Sequence, residues 1–139
     1  MIHKIETTLS KLSDFPLLFI RLILAYGFFN PALMKLQDIN GIAEWFDSIG
    51  IPFPLLNAYL ATVTETLGVL LLALGLFTRF ISIPLIITMI VAIVTVHGVN
   101  GFEAGNNGFE IPLYYIVMLF VLLVYGSGKI SIDSIISKK

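Results

Sequence analysis

Arg21, Lys35, Glu65, His97, Glu110 and Tyr114 are the side chains that could do chemistry in a chain otherwise built from apolar residues, 58% hydrophobic and only 12% charged over 139 positions. Glu65 is the most informative, because it is the one charged residue between residues 55 and 77, a stretch long enough to cross a bilayer. A carboxylate at that depth costs about 2.5 to 3.5 kcal/mol on insertion scales, so it should face protein, find a partner and mark a functional-site candidate. The first apolar stretch offers that partner. Arg21, Ala25, Phe28, Ala32 and Lys35 recur at helical spacing, as do Ala61, Glu65, Gly68, Leu72 and Gly75, so two stripes of small residues can meet face to face.

Aligned by their ends, the two helices put Glu65 level with Phe28, which leaves Arg21 and Lys35 each about 10 Å away along the axis. The Arg21–Glu65 pair is favoured, since an unpaired guanidinium two turns inside the apolar layer is costly; Lys35 is the rival partner. His97 and Glu110 fall near the level of Lys35, with Tyr114 one turn below Glu110. Together these residues could handle protons or bind a polar ligand: a histidine titrates near neutrality, and Tyr114 or Lys35 could donate to a carbonyl or quinone oxygen. They match no defined catalytic triad, so no catalytic residue is assigned. The structural alternative is that the charges only hold the bundle in register, at about 0.6 kcal/mol per contact, with Glu110 complementing a helix N-terminus and His97 capping a helix end.

A lone histidine without neighbouring His or Cys makes a poor metal site, so no metal is expected. With no cysteine, disulfides and Fe–S clusters are excluded, and any electron chemistry needs a borrowed, noncovalent cofactor. A net charge of -1, with no basic patch among aromatics, argues against nucleic acid.

The elements that must position these residues are four apolar segments, residues 15–35, 55–77, 80–97 and 111–126. They lack the alternation of barrel strands, so they are helices. The expected fold is an all-α membrane protein, an antiparallel bundle of four transmembrane helices forming one domain over residues 1–139. Between the first two spans, Ile42, Trp45, Phe46 and Ile49 repeat at helical spacing before Gly50 and Pro52 break the pattern, which predicts a short interfacial helix. Ile2, Ile5, Leu9 and Leu12 predict a second surface helix. Gly75 to Arg79 reads as a very short hairpin, and Gly98, Gly101, Gly105 and Gly108 as a mobile connector. Lys4, Lys11, Arg79, Lys129, Lys138 and Lys139 fall on one side against Lys35 on the other, which places both termini in the cytoplasm. The first apolar run has no small-residue cleavage site behind it and is expected to be retained.

The same residues carry a family resemblance. Arg21-Leu22, then Ala32-Leu33-Met34-Lys35-Leu36, then Glu65-Thr66-Leu67-Gly68 running to Leu74-Gly75-Leu76-Phe77-Thr78-Arg79, and finally Gly126-Ser127-Gly128-Lys129-Ile130-Ser131-Ile132-Asp133 resemble the DoxX family over nearly the whole chain. Ala32 stands where that family usually has glycine, a small-for-small exchange that still allows close packing. The resemblance implies a four-span protein of the cytoplasmic (inner) membrane, from a family named for its association with a quinol oxidase and a thiosulfate:quinone oxidoreductase. The leading expectation is an accessory subunit of a redox or stress-protection complex that engages a quinone and does not perform chemistry alone. Its partners would be the lipid bilayer and other membrane redox proteins, with a homo-oligomer allowed. The alternative is a noncatalytic scaffold or assembly factor whose buried charges are structural. A solute or proton pathway is weaker, because four short helices enclose little room.

Overall fold

The structure is a computed structural model and describes residues 1–138, so that Lys139, counted above among the basic residues, lies outside the described residues. These residues form helices joined by turns, with no strand among them. The helices are α1 (Ile2–Ser10), α2 (Asp14–Gln37), α3 (Ile39–Ser48), α4 (Pro54–Leu74), α5 (Thr78–Ala92), α6 (Glu110–Tyr125) and α7 (Ile132–Ile136). Three helical stretches are long and apolar enough to cross a membrane, Asp14–Gln37, Pro54–Leu74 and Thr78–Asn100, and α6 is a shorter apolar helix. The third stretch joins α5 to a π turn (Ile93–His97) and a 3-10 turn (Gly98–Asn100).

Helices α2 and α4 pack through the two stripes anticipated from spacing. Arg21, Ala25, Phe28 and Ala32 are buried on α2, and Glu65, Gly68 and Leu72 on α4, where Ala58 and Thr62 continue the face. Leu24, Phe28, Leu72, Leu85, Leu119 and Leu122, drawn from four helices, form the core. Gly68 is needed for close approach: a Cβ there would lie 2.9 Å from Leu85 Cδ2 on α5. Most large apolar side chains point outward instead, Tyr26 and Phe80 among them, as befits helices solvated by lipid tails.

The expected interfacial helix is α3. Its N-cap is Asp38, whose carboxylate accepts from Gly41 N at 2.9 Å, and Ala43 and Phe46 pack against Ala58 of α4. The expected N-terminal surface helix is α1, whose residues are all exposed.

Helix α4 ends three residues earlier than the apolar pattern suggests. Gly75 adopts a left-handed conformation with φ 67°, and Leu76 N bonds back to Leu71 O at 2.9 Å, closing the last turn. Phe77 is also left-handed, at φ 48°, which is unfavourable for a residue with a Cβ. Asp133 holds it there: its two oxygens accept from Phe77 N at 2.8 Å and Thr78 N at 3.2 Å, capping α5 from the far end of the sequence. The C-terminal segment thus lies under this hairpin, and Asp14 Oδ1 accepts from Lys129 N at 2.9 Å to bring the start of α2 to the same place. We call this the hairpin end of the bundle, and the opposite end, with α3 and the connector, the loop end.

The connector is more structured than its glycines suggest. Phe109 N donates to Gly101 O and Glu110 N to Phe102 O, folding the segment into a closed loop. Asp133→Ala should remove the cap from two backbone donors, costing about 0.5 to 2 kcal/mol. Thermal unfolding in detergent should show a lowered Tm, with Asp133→Asn, which keeps one acceptor, in between; an unchanged Tm for Asp133→Ala would contradict this capping role.

Candidate functional site

Glu65 takes its partner from the loop end. Lys35 Nζ donates to Glu65 Oε2 at 2.9 Å, with the two side chains 13% and 4% exposed. The favoured Arg21–Glu65 pair does not form. Arg21 is fully buried but turns toward the hairpin end, where Nη2 donates to Ile130 O and Nη1 to Leu72 O at 3.5 Å. Gly75 makes the room, since a Cβ at that position would overlap Arg21 Nη1. The physical reason is acceptor supply: at the C-terminus of α4 the Leu72 carbonyl, which also accepts from Gly75 N, has a lone pair to spare, and the C-terminal segment brings a second carbonyl. The two cations of the α2 stripe therefore serve opposite ends of the bundle.

A cavity of about 320 Å³ opens beside the ion pair on its loop side. Glu65 and His97 both line it, as do Gly27, Phe28, Pro31 and Tyr115, and the connector closes over it with Ala104, Asn107 and Gly108. Lys35 holds one oxygen of Glu65, so the other is what the carboxylate offers to the cavity. Among the described residues no group of three or more His, Asp or Glu side chains is arranged to hold a metal ion.

His97 enters the cavity wall through the π turn. Gly98 N donates to Ile93 O to close it, and a Cβ at residue 98 would lie only 2.7 Å from that same carbonyl, so glycine fits there and a larger residue crowds the turn. His97 Nδ1 lies 2.9 Å from Asn107 O. A carbonyl only accepts, so Nδ1 carries the proton and, in the neutral ring, Nε2 is an acceptor.

Glu110 and Tyr114 are placed elsewhere. Glu110 accepts from Ala104 N at 2.9 Å and from the Tyr114 hydroxyl at 3.0 Å, tying the connector to the start of α6, and neither residue lines the cavity. Tyr115, one residue on, points inward. Its hydroxyl lies directly over Gly27, where a Cβ would overlap it, and its ring meets Phe28 edge-on at 5.3 Å. Helix α6 is apolar on every side, so the sequence held no signal to choose between adjacent tyrosines. Gly27 and Pro31 did leave one. Pro31 sits inside α2 and has no N–H, so the Gly27 carbonyl four residues earlier lacks its helical donor, and both residues line the cavity.

The site therefore presents three acceptors, a Glu65 oxygen, His97 Nε2 and the Gly27 carbonyl, and one hydroxyl that can donate or accept, on Tyr115. Apart from Asn107 on the connector, its remaining walls are apolar.

The DoxX family profile matches residues 16–98, more than half of the chain. This chain belongs to the DoxX family. The matched stretch carries Arg21, Lys35, Glu65 and His97, while Tyr115 lies beyond it. An uncharacterised Haemophilus influenzae protein is 36% identical over 130 residues, covering 91% of this chain and 86% of its own length. The Bacillus subtilis protein named "Putative oxidoreductase CatD" is 30% identical over 131 residues, 94% of this chain and 93% of that one. The Escherichia coli "Inner membrane protein YphA" is 29% identical over 122 residues, 84% and 87% of the two chains. No solved structure matches. As a DoxX protein with several apolar helices, the chain is a membrane protein whose outer face meets lipid.

The ion pair predicts a specific pattern of stability. Lys35→Met alone strands a carboxylate in the bundle and should cost about 3 to 5 kcal/mol, whereas adding Glu65→Leu should recover much of that loss. Denaturant unfolding in mixed micelles checks it; a double variant no more stable than Lys35→Met alone would mean the two groups are not coupled.

Proposed function

We propose that this DoxX protein is an accessory membrane subunit of a redox or stress-protection complex, and that its cavity binds a member of the quinone pool in the reduced, hydroxyl-bearing form. The observation that carries this reading is the set of acceptors, the free Glu65 oxygen, His97 Nε2 and the Gly27 carbonyl, on a wall that is apolar apart from Tyr115 and Asn107. A quinone carbonyl needs donors, and the two donors anticipated from the sequence are not offered: Lys35 is taken by Glu65, and Tyr114 by Glu110. A quinol brings its own hydroxyl protons, which the free Glu65 oxygen, His97 Nε2 and the Gly27 carbonyl can accept, and its flat ring suits the walls formed by Phe28 and Tyr115. The oxidoreductase in the Bacillus relative's name supports a redox setting.

In this reading the chain spans the membrane four times, α6 completing the crossing with its flanking turns. Arg79 and Lys129 gather with Asp14 at the hairpin end, and the excess of basic residues there supports cytoplasmic termini in an inner membrane, with the cavity toward the outer side. The name of the Escherichia coli relative supports the same location. The chain itself holds and orients the ligand, and a partner protein supplies electron transfer. Should the chain instead be a scaffold, the ion pair would keep its place and the cavity would have no ligand.

Anaerobic titration of the purified protein with a short-tailed menaquinol and the matching menaquinone separates these readings. The quinol should bind saturably and at least tenfold more tightly than the quinone, and Glu65→Gln should erase most of that preference. Absence of saturable binding by either form would remove the proposal and leave the scaffold.

A further inference from the structure

At the hairpin end a second groove, of about 720 Å³, runs between the start of α5 and the C-terminal segment. Arg79, Ser127 and Ser134 line it, together with Phe77, Phe80 and Tyr125. Arg79 is exposed and forms no ion pair among the described residues, unlike Lys35 and Lys129. The acid nearest to hand, Asp133, also lines the groove, but both of its oxygens already accept from Phe77 N and Thr78 N. The guanidinium lies over Gly126, where a Cβ would come within 3.1 Å of Arg79 Nε, so the glycine keeps that edge of the groove open.

The surroundings say what kind of anion fits. Phe80 is 74% exposed, Tyr125 70% and Phe77 56%, and all three stand where the apolar helices α4, α5 and α6 begin or end. A soluble anion gains nothing from these rings. A molecule whose phosphate adjoins two hydrocarbon chains gains both contacts at once, and a guanidinium presents a fork of donors matched to phosphate oxygens.

We propose that this groove is a binding site for one anionic phospholipid, its phosphodiester on Arg79 with Ser134 beside it and its acyl chains along Phe80 and Tyr125. An anionic headgroup is favoured over ethanolamine because ethanolamine carries an ammonium that answers its own phosphate, whereas a glycerol headgroup leaves that charge for the arginine. The site is separate from the Glu65 cavity, at the opposite end of the bundle.

Native mass spectrometry of the full chain, delipidated and titrated with phosphatidylglycerol or phosphatidylethanolamine, tests this. The expected result is one tightly held phosphatidylglycerol per chain, at least tenfold weaker retention of phosphatidylethanolamine, and at least tenfold loss of phosphatidylglycerol in Arg79→Gln. Arg79→Lys should retain part of the binding. Arg79→Gln should fold normally, since the side chain is exposed, and an unchanged Tm confirms that the loss is one of binding. Equal retention of phosphatidylglycerol by the wild type and Arg79→Gln would overturn the proposal, as would its displacement by millimolar inorganic phosphate, which would make the groove a site for free anions.

Discussion

The ammonium of Lys35 and the carboxylate of Glu65, 2.9 Å apart and shut away from solvent, constrain everything else in the bundle. Neither group is tolerable alone at that depth, so α2 and α4 must meet in the one register that joins them. Small residues make the meeting possible. Ala25 and Ala32 flank the contact on α2, Gly68 follows Glu65 on α4, and Leu85 from α5 fills the notch that Gly68 leaves. In lipid, where tails are as apolar as leucine, such packing and polar contacts replace the hydrophobic drive that holds a soluble core together.

Once Lys35 is committed, the rest of the polar interior sorts itself by distance. Arg21 extends toward the hairpin end, where Ile130 O and Leu72 O, the latter shared with Gly75 N, accept from it. That contact draws the C-terminal segment beneath the bundle, and Asp133 then caps α5. At the loop end, the oxygen of Glu65 not held by Lys35 is left for the cavity, where a π turn, a proline in α2 and a glycine under Tyr115 each shape the wall. Features that look like irregularities of the helices converge on the same small space, which is where π turns and interior prolines tend to be retained.

Much of this was legible in the residues. The stripe through Arg21, Ala25, Phe28 and Lys35, and the matching one through Glu65, Gly68 and Leu72, follow from helical spacing alone, and so do α1, α3 and the hairpin glycine at residue 75. Spacing could not say which cation Glu65 would choose, because both lie equally far along the axis and the choice turned on carbonyls supplied by a distant part of the chain. Nor could it separate Tyr114 from Tyr115 on a helix without a polar face. The π turn was equally hidden: one extra residue in a turn rotates His97 with no change in composition. Gly27 and Pro31, four apart, were a readable sign of an unbonded carbonyl.

Glu65 is answered by Lys35 and not by Arg21, and on that choice of partner the arrangement of both ends of the bundle depends. Solid-state NMR on the protein in lipid, with Lys Nζ, Arg Nη and Glu Cδ labelled, measures it directly through the dipolar couplings of the Glu65 carboxyl. The expected spectrum shows one Lys–Glu coupling corresponding to N···O contact within about 4 Å, absent in Glu65→Gln. A Glu65 carboxyl coupled to an arginine guanidinium, or to no cation, would contradict it.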